Sequence, residues 1–295
     1  MTSLPVSIIG LGLMGEVYAT RLIAAGIPVR GFDIDPARRA RFDEIGGVAV
    51  DSIADVLAVP ARCILLAVFS TDQVEDVVEK QILQITGETS NAIVICTATA
   101  DPDRIGALAA RVSKRGIRFL DVPVSGTSQQ VRRGDGVALI GGDPAIAQEL
   151  ADIFEALFAR SFHIGKAGDG GRAKLAVNLI LGLNRLALAE GLVFAEKLGL
   201  DPDAFLKVAK GSASYSQVMD TKGSKMLRGD FAPEGRVKQT LKDCHLMLDQ
   251  AASAGQTLSM LEVHAGVLEA CVRAGEAELD NSAIINEVRR RGTKG

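Results

Sequence analysis

Val6-Ser7-Ile8-Ile9-Gly10-Leu11-Gly12-Leu13-Met14-Gly15 places four residues suited to a buried strand directly before Gly-x-Gly-x-x-Gly. A helical pattern follows over Glu16 to Ala25, and a second β-rich run, Val29 to Phe32, ends at Asp33, 18 residues beyond Gly15. Glycines in this spacing are weak evidence alone. Between a strand and a helix, with an acidic residue closing the next strand, they form the dinucleotide-binding fingerprint. Gly10 permits the tight turn, Gly12 lets the backbone approach a pyrophosphate, and Gly15 lets helix and strand pack closely. The helix N-terminus offers amides and positive potential to the phosphates. Leu11, Leu13 and Met14 complete the cofactor turn. Asp33 is placed to accept hydrogen bonds from both ribose hydroxyls and to repel a 2′-phosphate, which favours NAD; Arg38 and Arg39 keep NADP open. Asp35, just before Pro36, reads as a helix N-cap.

Working outward, strands are expected at Cys63 to Val68, Ile93 to Cys96, Arg118 to Asp121 and Gly136 to Ile140. Several are apolar on consecutive residues, as strands covered on both faces are. Helices are expected between them at Pro36 to Ile45, Thr71 to Gln84 and Pro102 to Lys114. This alternation predicts right-handed crossovers and an α/β Rossmann-type, doubly wound parallel sheet. After Gly165 the strand signal stops. Ala173 to Leu198 reads as one long helix, followed by helical patterns over Pro202 to Lys210, Val218 to Leu227, Gly235 to Ala254, Thr257 to Ala274 and Ser282 to Arg290. The expectation is a dinucleotide-binding domain over 1–165 and an all-α domain over 166–295, with the long helix as junction and a cleft beside it.

Composition narrows the function. A formal net charge of −3 over 295 residues leaves no positive field for a polyanion, so no nucleic-acid partner is expected. The one basic cluster, Arg289-Arg290-Arg291 with Lys294, reads as a solvated tail. The four cysteines, Cys63, Cys96, Cys244 and Cys271, lack C-x-x-C spacing and read as buried thiols of a reducing compartment, with no metal site. The apolar start runs into a glycine motif rather than a cleavage site, so no signal peptide is expected. The stretch near Lys174 to Phe194 is interrupted by Asn178, Asn184, Arg185 and Glu190 and reads as too polar for a membrane span; a cytoplasmic location follows. Many apolar helices and few aromatics point to a homodimer or homotetramer.

Three further motifs follow the fingerprint in order: DVPVSGT at Asp121 to Thr127, GKAGDGGRAKLAVN at Gly165 to Asn178, and KDCHLMLD at Lys242 to Asp249. Together the four resemble the β-hydroxyacid dehydrogenase family, which includes 3-hydroxyisobutyrate dehydrogenase and tartronate semialdehyde reductase. The resemblance implies hydride transfer between a nicotinamide and a small 3-hydroxy acid or its semialdehyde or keto form. It also implies that Lys174 is the catalytic acid/base, supported by Asn178. Independently, Lys174 and Asn178 stand i and i+4 on one helix face, and a lysine among apolar neighbours is pushed from about 10.4 toward the range useful for proton transfer.

By the same resemblance, Ser125 and Gly126 hold the substrate carboxylate, and Thr127 stands where the family usually has glycine. Phe231, in GDFAPEG, matches an aromatic that closes on the substrate. Val68, Phe69 and Gln73 match contacts on the nicotinamide side, and Lys242 reaches cofactor or substrate. Thr99 matches a poorly kept segment in which Cys96 replaces an aspartate and Ala98 a serine. Lys242 and Asp249, two helical turns apart, also suit a solvated face, and Phe231 a core position. The rival classes are a non-catalytic dinucleotide sensor, which the presence of Lys174 disfavours, and other enzymes: a glyoxylate or succinic semialdehyde reductase, an imine reductase, which usually replaces the lysine, and 6-phosphogluconate dehydrogenase, whose helical domain is much longer.

Overall fold

The computed structural model describes residues 4–86 and 91–292. It divides into two compact units, Met1–Lys174 and Leu175–Gly295, nine residues later than the sequence boundary at 165.

Among the described residues, the first unit is a nine-stranded sheet between helices. Its strands are β1 (Val6–Ile9), β2 (Val29–Phe32), β3 (Val48–Ala49), β4 (Cys63–Leu66), β5 (Ile93–Cys96), β6 (Arg118–Asp121), β7 (Val124–Ser125), β8 (Val137–Gly141) and β9 (Arg160–Gly165). They run in the order β3-β2-β1-β4-β5-β6-β8-β7, with β9 paired to β8. From β3 to β6 every pairing is parallel. Strand order reverses between β1 and β4, so their carboxyl ends form the switch point where ligands bind in open α/β sheets.

The alternation along these strands shows why they read as continuous apolar runs. Val6 and Ile8 of β1, with Cys63 and Leu65 of β4, enter one core cluster. Ile9, Ile64 and Leu66 enter the other, on the opposite face. With both faces covered, no polar alternation remains.

The far edge departs from the expected all-parallel sheet. β8 runs antiparallel to β6 through Asp121 and Gly141 and antiparallel to β7, while β9 returns parallel to β8. β9 escaped the sequence reading because its side chains are largely exposed, Phe162 and Ile164 among them, so no buried run marks it. The expected helix Thr71 to Gln84 also differs. It is α-helical over Thr71–Glu75, π-helical over Asp76–Ile82 and α-helical again over Leu83–Thr86.

The second unit is helical. It holds most of the helix Asp169–Lys197 and the helices Pro202–Lys210, Gln217–Arg228, Val237–Ser253, Ser259–Arg273 and Ile284–Arg291. Leu186, Ala189, Leu192, Met226, Cys244, Leu268 and Ile284 belong to its core. A buried ion pair fastens this core: the Lys222 ammonium lies 2.9 Å from both oxygens of Asp280. Asp280 also accepts from the Glu234 and Gly235 amides and from Ser282. Although burial opposes it, Lys222 and these donors hold the Asp280 carboxyl below its usual range. Two sequence expectations are revised here. By length and hydropathy the helix Asp169–Lys197 suffices to cross a bilayer, yet Leu186, Leu188, Ala189 and Leu192 form protein core instead. The C-terminal arginines are not a loose tail: Arg289 pairs with Glu196, Arg290 with Glu276 and Glu287, and Arg291 with Glu287. They close the last helix with compensated charge, while Lys294 lies outside the described residues.

Candidate active site

At the switch point the glycines do separate jobs. Gly10 has φ +94°, and a Cβ there would lie 2.6 Å from the Ala67 carbonyl oxygen, so the ends of β1 and β4 could not approach with a side chain between them. A Cβ at Gly15 would fall 1.9 Å from the Gly10 carbonyl oxygen. At Gly12, by contrast, a Cβ would meet Arg38 and no other group within 4 Å. That opening lies at the N-terminus of the helix Leu13–Ala24, which no side chain caps. Uncapped helix amides beside a glycine with space above it suit a pyrophosphate, so the residues present fit a dinucleotide.

Asp33 is buried and ties this turn to β2. Its Oδ2 accepts from the Leu11 amide at 2.7 Å and its Oδ1 from the Asp35 amide at 2.9 Å. Arg38 reaches the same Oδ2 at 3.3 Å, and Arg39 donates to the Asp33 carbonyl. Asp35 caps the helix Pro36–Glu44 through the Ala37 amide, as its place before Pro36 implied. Arg38 therefore stands between Asp33 and the glycine turn.

Beyond β4, Val68 is partly buried and Phe69 is exposed. Gln73 acts locally, its side-chain oxygen accepting from the Phe69 and Ser70 amides while Ser70 caps the Gln73 amide. Such a capping box fixes the chain direction after β4. Thr99 follows β5, and the neighbouring Thr97 hydroxyl donates to the Leu66 carbonyl, pinning β5 to β4.

The DVPVSGT segment makes the end of β6, then β7. Ser125 is half-buried, and Gly126 has φ +142°, which favours glycine. Thr127 is occupied as a cap. Its hydroxyl accepts from the Gln130 amide while the Gln130 side chain accepts from the Thr127 amide. Lys174, at the end of the first unit, is buried in the second turn of the helix Asp169–Lys197.

In the second unit, Asn178 donates to Asp243 Oδ2 at 3.0 Å, and the Lys242 ammonium lies 3.2 Å from Asp243 Oδ1. Asp243 is buried; Asp249, at the other end of KDCHLMLD, is exposed. The sequence reading singled out Lys242 and passed over Asp243, whose helix face also carries Gln239, Thr240 and Gln250 and so does not mark the acid out. Phe231 is partly buried against the helical core, its carbonyl accepting from the Asp280 amide. All four cysteines are buried thiols. The fold also brings together two groups distant in sequence, Cys244 Sγ and His264 Nδ1, 3.7 Å apart. Burial and then Arg185 hold His264 down to about 4, so its imidazole is neutral.

Residues 5–165 match the family profile of the NAD-binding domain of 6-phosphogluconate dehydrogenase, and residues 168–288 match the NAD-binding profile of NADP-dependent 3-hydroxyisobutyrate dehydrogenase. The chain is 31% identical to an L-threonate dehydrogenase of Cupriavidus necator, covering 95% of this chain and 94% of the relative. It is 28% identical to a 2-hydroxy-3-oxopropionate reductase of Escherichia coli, covering 94% of each. The solved 3-hydroxyisobutyrate dehydrogenase of Mycobacterium tuberculosis superposes with a TM-score of 0.85 at 26% identity, covering 97% of this chain and 99% of that one.

Proposed function

The chain belongs to the β-hydroxyacid dehydrogenase family and is an NAD(P)-dependent oxidoreductase; from that premise we propose that it interconverts a small 3-hydroxy acid, of the 3-hydroxyisobutyrate type, and its semialdehyde or keto form, with Lys174 as general acid/base. When bound, the nicotinamide supplies the hydride acceptor or donor. The chain's own residues do the rest. Lys174 takes the hydroxyl proton in oxidation and returns it to the carbonyl oxygen in reduction. Ser125 and Gly126 receive the substrate carboxylate. Asn178, one turn after Lys174 on the same helix, is held by Asp243 with its amide oriented. Glycine turn and Asp33 hold the dinucleotide, and the charge of Asp33 favours NAD over NADP.

The observation that carries this reading is a buried lysine in the second turn of the helix that follows the sheet, in a chain whose glycine turn fits a dinucleotide. A carboxylate-bearing substrate suits a site with a lysine and a serine hydroxyl. Domains close to 1–165 and 166–295, a cytoplasmic location and assembly with further copies of the chain complete the proposal. Assembly is supported by Ile180, Phe194 and Leu198, apolar and exposed along the long helix and its end.

The test is a panel of hydroxy acids and their semialdehydes, assayed with NAD and NADP on the wild type and on Lys174→Ala. On the best substrate the variant loses roughly 10²–10⁴-fold in kcat. Cofactor affinity stays near the wild-type value. Lys174→Arg rescues little, because a guanidinium stays protonated and cannot accept the hydroxyl proton. Turnover by Lys174→Ala within a few-fold of wild type overturns the assignment.

A further inference from the structure

The helix that carries Lys174 begins in an unusually close fit. A Cβ at Gly168 would lie 2.5 Å from the Pro102 carbonyl oxygen; one at Gly170 would lie 2.5 Å from that of Leu139 and 2.6 Å from that of Asp121. From the other side, a Cβ at Gly141 would meet the Lys166 carbonyl oxygen at 2.6 Å and the Gly170 amide nitrogen at 2.8 Å. The first helical turn is therefore pressed onto the ends of β6 and β8, with no side chains between. All these residues belong to the first unit.

The side chain of Asp121 points into this turn. Its Oδ2 accepts from the Gly171 amide at 2.8 Å, and the Gly168 amide also donates to the carboxyl. Helices are usually capped by the residue just before them. This one is capped across the fold, from the last residue of β6. The same oxygen lies 3.4 Å from where a Gly171 Cβ would stand. Gly171 and Lys174 are i and i+3 on one helix face, so the carboxyl lies beside that face one turn before the lysine.

We propose that Asp121 is a positioning residue of the reaction, whose ionised carboxylate clamps the first turn of the helix and so sets the position of the Lys174 amine. The inference rests on the assignment of Lys174 above. A charged acceptor binds helix-terminal amides more strongly than a neutral one, so the clamp tightens when Asp121 loses its proton. Burial, against the pull of the Gly171 and Gly168 amides, pushes this carboxyl up to about 7, where the change of charge falls in the working range. The charged groups that act on it are Asp169 and Arg172 on the helix; Asp103 pairs with Arg172 from the helix Pro102–Ser113, and Cys96 is its register partner on β5. Arg172 is already shared between Asp103 and Asp169.

The test compares the pH dependence of kcat in both directions. Lys174 acts as base in oxidation and acid in reduction, so its own limb reverses sense between the two. A clamp tightened by ionisation gives a limb that rises with pH near 7 in both. Asp121→Asn, which keeps the shape, should lower kcat in both directions by roughly 10–100-fold, the cost of a small misplacement. It should leave the KM for the cofactor unchanged and abolish the shared limb, while the opposed limbs persist. The wild-type profile needs no variant at all. Absence of a shared limb in the wild type, or an Asp121→Asn enzyme with wild-type kcat and profile, overturns the inference. If Lys174→Ala is inactive while Asp121→Asn is unaltered, only the clamp fails. If Lys174→Ala is active, the reading of Lys174 fails and takes the clamp with it.

Discussion

Asn178 and Asp243, 65 residues apart in the chain, share a hydrogen bond of 3.0 Å inside the helical unit. The bond orients the Asn178 amide, leaving its oxygen as the free acceptor, while Lys242 balances the charge of Asp243. Asp243→Ala removes both restraints. Bonds to a charged partner contribute about 1.5–3 kcal/mol, so kcat/KM should fall by roughly 10–100-fold. Asp243→Asn should recover part of the loss. Steady-state kinetics on the best substrate decide this, and wild-type rates in Asp243→Ala would remove Asp243 from the site.

Cofactor choice should turn on Asp33 and Arg38 together. A like charge about 4 Å from a 2′-phosphate costs on the order of 1–4 kcal/mol. Asp33→Ser should therefore move the ratio of kcat/KM for NAD and NADP toward NADP by about tenfold or more. It also frees Arg38 to meet the phosphate, so adding Arg38→Ala should cancel the gain. Because Asp33 holds the Leu11 amide, affinity for both cofactors should drop somewhat in Asp33→Ser. A wild type that already prefers NADP would reverse the assignment.

Ser125→Ala should chiefly raise KM for the acid, by roughly tenfold, with kcat little changed, because the hydroxyl binds ground and transition states alike. An unchanged KM would count against its contact with the carboxylate.

Two buried groups give stability opposite dependences on pH. His264 is depressed in the folded state to about 4, so the native state binds fewer protons than the unfolded one below about 6.5, and its contribution is lost as pH falls toward 4. Asp121 is raised to about 7, so the native state holds a proton that the unfolded state has released. Its contribution is complete below about 4 and lost as pH rises to 7. Each acts with a slope of at most about 1.4 kcal/mol per pH unit. Denaturant titrations should show the two nearly cancelling between pH 4.5 and 6 (a range on the order of the gap between these values). His264→Gln should expose a decline of stability with rising pH, and Asp121→Asn a rise. Parallel curves for both variants would contradict the assignment.

Ile180, Phe194 and Leu198 are separated by 14 and 4 residues, which at 3.6 residues per turn sets them along one face. All three are exposed. Light scattering at micromolar concentration should give a dimer or tetramer, and Phe194→Glu should shift it toward monomer. A monomeric wild type would contradict assembly through this face.

What the sequence determined by itself is the part of the protein written in local patterns. Consecutive apolar residues declare β1, β4 and β5 because both faces of those strands are covered. Gly10, Gly12, Gly15 and Asp33 declare the cofactor turn because each meets a backbone constraint within 30 residues of the others. Lys174 and Asn178 share a face through helix periodicity alone. Tertiary structure decided what depends on residues far apart. β8 runs against β6, and β9 joins the sheet with exposed side chains, so neither strand's pairing is written in its own pattern. Gln73 and Thr127 turned out to cap helices, and two of the C-terminal arginines found glutamates outside their own helix, Arg289 at Glu196 and Arg290 at Glu276. Asp243 and Asp121 carry no local signature of their roles. A carboxylate acquires its role from the donors that the fold brings to it, here the Asn178 amide and the first turn of the helix that bears Lys174.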